Sequence, residues 1–78
     1  MNKTLSGRIA SHTLGRFGGK DIRYGFIGLE LPSGEHVRAK VDKYTESETF
    51  QIGEQVEVDV ETLGDTDIWV ARKIRKLH

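Results

Sequence analysis

The stretch Ile22 to Val41, IRYGFIGLELPSGEHVRAKV, constrains the fold of this chain more than any other. It reads as two strands joined by a turn at Pro32-Ser33-Gly34. Proline presets the backbone of the first turn position, and glycine reaches the left-handed conformation that closes a three-residue hairpin loop. Folding there sets Leu31 opposite Glu35, Glu30 opposite His36, Leu29 opposite Val37 and Gly28 opposite Arg38. It also sets Ile27 opposite Ala39, Phe26 opposite Lys40 and Tyr24 opposite Asp42. Side chains alternate faces along a strand. Ile27, Leu29, Leu31, Val37, Ala39 and Val41 therefore share one face, which is a core. Tyr24, Phe26, Arg38 and Lys40 share the other, which puts two aromatic rings beside two cations.

The rest of the chain supplies strands to close over that core. Residues 4–14 alternate moderately, with Leu5, Gly7, Ile9 and Ser11 set against Ser6, Arg8, Ala10 and His12. GRFGGKD, residues 15–21, is a loop, with Phe17 either tucked beneath it or offered to a ligand. Its glycines lack the spacing, the Lys-Ser/Thr pair and the following helix of a phosphate-cradling loop. Gly25 and Gly28 inside the second strand suit the sharp bending that closes a small barrel. DKYTESETFQIG is expected to form a turn or a single helical turn, which Thr45 or Ser47 is placed to cap, with Phe50 and Ile52 plugging one end of the barrel. GEQVEVDVETL is the clearest strand, with Val56, Val58 and Val60 inward and Gln55, Glu57, Asp59 and Glu61 outward. After a turn at Gly64-Asp65-Thr66-Asp67, IWVARKIRKL alternates only if a bulge lies near Ala71-Arg72. Trp69 is either core or a stacking ring.

At 78 residues the chain is one domain spanning 1–78. A chain of this size buries roughly 60–65% of its unfolded surface, so most apolar residues must serve the core. The absence of cysteine excludes a disulfide framework or a zinc ribbon. His12 and His36 have no neighbours at metal-ligand spacing, and no nucleophile accompanies them, so neither a metal, a cofactor nor catalysis is expected. No apolar run approaches spanning length, which predicts a soluble, cytoplasmic protein without membrane contact. Net charge is zero but segregated: residues 1–45 carry eight basic and four acidic residues, 46–67 eight acidic and no basic, and 68–78 four basic and no acidic. Such asymmetry marks either a polyanion-binding face or the solvated sides of strands and turns.

About five short strands with turn signals between them, and at most one short helical turn, predict an all-β fold: a small five-stranded OB-fold-like antiparallel barrel. An SH3-like barrel is the alternative. Two resemblances follow. Gly7-Arg8-Ile9, Tyr24-Gly25-Phe26-Ile27, Gly34-Glu35-His36-Val37, the Gly53 to Val60 segment and Val70-Ala71 resemble, in order, the strands of cold-shock domains. That likeness implies single-stranded RNA or DNA as partner, with Tyr24 and Phe26 stacking on bases. Val37-Arg38-Ala39-Lys40-Val41 stands where that family has aromatics and a histidine, which implies weaker stacking and relatively more phosphate contact. Tyr24 to Gly34 and Ile52 to Val58 are also similar to the OB domain of acyl-CoA- and thiolase-associated partner proteins. This second likeness implies an accessory module with a protein partner, although the zinc ribbon usual there is absent.

The face of Tyr24, Phe26, Arg38 and Lys40, extended by Arg23, Arg8 and His12, combines stacking rings with phosphate-pairing cations, as a single-strand binder needs. In the other arrangement that fits, a loop or the C-terminal segment covers the rings, and Arg38 and Lys40 are edge charges that discourage aggregation. The expected function is non-enzymatic single-stranded nucleic-acid binding by a monomer or weak dimer.

Overall fold

The structure, a computed structural model, describes residues 2–16, 23–62, 64 and 68–77. Phe17 and most of its loop, Asp65 to Asp67, and His78 lie outside the described residues, as does the side chain of Arg23. Six strands form: β1 (Asn2–Arg16), β2 (Arg23–Glu30), β3 (His36–Val41), β4 (Glu46–Ser47), β5 (Gln55–Thr62) and β6 (Trp69–Lys76). Five of them close into a barrel, and β4 is a short addition beside β6.

The β2–β3 hairpin has the register set by its turn. Phe26 faces Lys40, Ile27 faces Ala39, Gly28 faces Arg38, Leu29 faces Val37 and Glu30 faces His36. The Gly34 amide donates to the Leu31 carbonyl at 2.8 Å, and Gly34 adopts φ of +89°, which its missing side chain permits. Ile27, Leu29, Ala39 and Val41 are buried, and Leu31 and Val37 pack partly buried against them.

β1 serves two neighbours. Its first part, Asn2 to Arg8, pairs with β5, and its second part, from Arg8 to Arg16, pairs with β2. Between Ile9 and Ser11 the register slips, so Ala10 is an extra residue. A bulge of this kind bends a strand and increases its twist, which lets one strand pass from one wall of the barrel to the next. β5 pairs with β6, where a second slip makes Arg72 the extra residue. That bulge answers the parity conflict in IWVARKIRKL: Ala71 and Ile74 both enter the core while Arg72 turns outward.

The barrel closes where β3 meets β6 through Ala39–Trp69 and Lys40–Val70, and this pairing is parallel. The five-stranded antiparallel barrel expected from the sequence is present, with this one parallel pair at its seam. Strands that alternate direction around a ring must be even in number, so a ring of five leaves one like-directed pair. β4 is also parallel to β6. This connectivity is compatible with an OB-like barrel.

No helix occurs among the described residues. The groups that suit a helix cap are used by a turn instead. Tyr44 N–H donates to Asp42 Oδ1 at 2.9 Å, and Asp42 N–H donates to the Thr45 hydroxyl at 3.1 Å. The Thr45 hydroxyl in turn donates to the Ala71 carbonyl at 2.6 Å, tying this turn to β6. Phe50 packs against the core as expected, but Ile52 does not plug the barrel: it is 54% exposed. Trp69 packs partly buried against the core, with Lys3 Nζ 5.9 Å from its ring centroid.

Candidate nucleic-acid interface

The outer side of β2 carries Tyr24, Phe26 and Gly28, because Gly25, Ile27 and Leu29 have the core parity. The register places Gly15, Thr13 and Ser11 of β1 beside these three residues in that order. On the opposite flank, Lys40 of β3 stands beside Phe26, and Arg38 beside Gly28. The four residues at the centre of the expected face are thus contiguous on one surface.

Their exposures differ. Tyr24 is 47% exposed. A Cβ built on Gly15 would lie 3.4 Å from Tyr24 Cζ, so the ring lies against the bare backbone of β1 at that glycine. Phe26 is half-buried, and its cover is Arg38, whose Cζ stands 4.7 Å from the ring centroid. At this range a cation is attracted by the ring quadrupole by about 0.5–1 kcal/mol at a solvated site. Arg38 thus reaches diagonally across the β2–β3 pair, from its place opposite Gly28 to Phe26. Lys40, half-buried, makes no ion pair with any described residue.

Arg8 and His12 do not join this cluster. Arg8 lies beside Glu30, beyond Gly28, and its Nη2 donates to Glu30 Oε1 at 2.5 Å. That hydrogen bond, with the charge behind it, holds the Glu30 carboxyl below its usual range. His36 Nε2 is 3.7 Å from the other oxygen of Glu30. The Ala10 bulge reverses parity along β1, so Ser11 rather than His12 borders the aromatic face. His12 lies opposite Ile27, on the other side of the sheet, and is exposed there.

The charge blocks that look separate in the sequence meet in space. Arg75 donates to Asp59 Oδ2 at 2.7 Å and to Glu57 Oε1 at 2.6 Å. Arg72 donates to Glu61 at 2.6 Å and lies 3.2 Å from Asp42. Two arginines of the basic tail are therefore matched by the acids of β5 and the β3 exit. The alternation of acids on β5 and the Arg72, Arg75 pair on the next strand was the available signal for this ladder.

Hydrogen bonds from Arg75 first, and then from Thr4, lower the Asp59 carboxyl from its ordinary 3.8 to about 2. A carboxyl with a depressed folded pKa stabilises the fold above its unfolded pKa, and that contribution is lost as pH falls through the folded value. Stability is expected to decline between about pH 4 and pH 2, and Asp59→Asn should flatten this limb. Because the group is solvated, the effect should shrink in high salt. Urea midpoints measured across that range, at low and high salt, check it; an identical acid limb in wild type and variant would refute the assignment.

Among the described residues, no cluster of His, Cys, Asp or Glu is arranged to hold a metal ion, and no helix is long and apolar enough to cross a membrane. Two open grooves lie among the described residues, one of 480 Å³ beside Lys3, Asp59 and Arg72 and one of 360 Å³ beside Arg8, Glu30 and Pro32. Comparison with protein families, curated proteins and solved structures found no significant match to the chain.

Proposed function

We propose that this protein is a non-enzymatic, OB-type binder of single-stranded RNA or DNA, and that the outer face of β2 and β3 is its binding surface. The observation that carries this reading is the Tyr24 ring, 47% exposed and backed by Gly15, on one surface with Phe26, Arg38 and Lys40. A ring resting against backbone is already partly ordered, so stacking a base on it costs less additional entropy. Every base has a π-face, which makes such stacking tolerant of sequence. Lys40 and Arg38 stand on the flank where a backbone phosphate would lie. Arg8 contributes less, because Glu30 already neutralises it.

Titrating a labelled mixed-sequence oligonucleotide at low and high salt tests the reading. Two phosphate contacts predict a slope of about −1.4 in log K against log salt, at about −0.7 per contact for single strands. Tyr24→Ala should lower low-salt affinity about 5- to 150-fold, the range that 1–3 kcal/mol of stacking implies. The circular dichroism spectrum should not change, since the side chain lies outside the core. Absence of binding by the wild-type chain at low salt would sink the reading.

A further inference from the structure

We propose that the second stacking plane of this face is the guanidinium of Arg38, and that Phe26 is its backing rather than a base-contacting ring. This inference rests on the nucleic-acid reading above. Phe26 is half-buried, and Arg38 Cζ stands 4.7 Å from its centroid while Arg38 itself is exposed. A guanidinium is planar and stacks on aromatic faces, and its outer face remains open to a second π-system. Bases stack on arginine planes as they do on rings.

The surroundings hold this arrangement. Gly28, opposite Arg38, carries no side chain, and Ser11 Oγ occupies the position where one would begin. The face therefore offers two backed planes on one side of the sheet: Tyr24 over Gly15 and Arg38 over Phe26. Tyr24 and Phe26 are two strand positions apart, about 6.6 Å along β2, close to the step between neighbouring bases in a stretched single strand. Lys40 flanks Phe26, in the row between those of Tyr24 and Arg38, where the phosphate linking two such bases would pass. The ligand class is an extended single strand with two adjacent unstacked bases. A duplex, whose bases present only their edges, does not fit.

Arg38→Lys keeps the charge and removes the plane. Phe26→Leu keeps an apolar side chain and removes the backing. Anisotropy titrations with a single strand of about 12 nucleotides, at several salt concentrations, should show Arg38→Lys weakening binding about fivefold or more with the salt slope unchanged. Phe26→Leu should weaken binding in the same direction. The double variant should lose little beyond Arg38→Lys alone, because two residues acting as one unit are not additive. The matching duplex should bind more weakly than the strand. Wild-type affinity in Arg38→Lys, or a full additional loss on adding Phe26→Leu, would overturn the proposal while leaving the single-strand reading intact. No binding by wild type would remove both. Superimposable circular dichroism spectra identify a loss of binding that does not come from unfolding.

Discussion

Gly25→Ala is expected to destabilise the protein by about 3–5 kcal/mol, a large part of the stability a domain of this size has. Gly25 adopts φ of +143°, which side-chain-bearing residues rarely reach. A Cβ there would also lie 1.9 Å from the Thr13 carbonyl oxygen and 3.1 Å from Leu14 Cα. Both are backbone atoms of the paired strand β1, so relief requires parting the β1–β2 ladder. Gly28→Ala supplies the contrast. Its Cβ would meet Ser11 Oγ at 2.4 Å, but that oxygen ends a rotatable side chain. This change should cost less than about 1 kcal/mol. Urea unfolding followed by Trp69 fluorescence separates the two. Equal losses would show that bare strand geometry, and not the contact with Thr13, sets the requirement for glycine.

Leu29→Ala should cost about 2–5 kcal/mol through lost transfer energy and the cavity left behind. Leu29 is fully buried, between Ile9 on β1 and Val37 on β3. Those partners belong to two hydrogen-bonded ladders and cannot collapse far into the space. Ile52→Ala removes a side chain of the same size at a site 54% exposed, and should change stability by no more than about 0.5 kcal/mol. The same denaturant experiment reads both variants. A destabilisation of Ile52→Ala comparable to that of Leu29→Ala would place Ile52 in the barrel end after all.

The hairpin was legible in the sequence because its turn and its alternation agree. Pro32 and Gly34 set where the chain reverses, and one register then puts every apolar pair on the same side. The β6 bulge was legible for the opposite reason: strict alternation would have placed Arg72 among Val70 and Ile74, so an extra residue was required. The β1 bulge left a fainter mark, in Leu14, which has the opposite parity to Leu5 and Ile9 yet packs against the same core. Ser11 and His12 are both polar, so either parity reads equally well there, and only the pairing with Gly28 and Ile27 separates them. The segment after β3 was only half legible, because Thr45 suits a helix cap and a turn alike, and the turn is what forms. Its hydroxyl is used by the Ala71 carbonyl, a partner 26 residues away that no local pattern can announce.

The aromatic face divides in the same manner. Alternation along β2 and β3 was enough to put Tyr24, Phe26, Arg38 and Lys40 on one surface. It could not show that the Phe26 ring is covered by Arg38, or that Tyr24 lies against Gly15. The first is a choice of rotamer; the second depends on a strand outside the hairpin. Likewise the acidic β5 and the basic tail read as opposite charge blocks, and only adjacency of β5 and β6 turns them into a ladder of ion pairs.

From the sequence by itself came the all-β class, the central hairpin and its register, and the buried residues of β2, β3 and β5. These follow from a two-residue period and from turn chemistry, both properties of a few neighbouring residues. The tertiary structure alone decided the parallel seam between β3 and β6, the side of the sheet on which His12 falls, and which cation meets Phe26. Those outcomes depend on how distant strands compete for the same edges and the same space. That competition is settled only when the ring of strands closes.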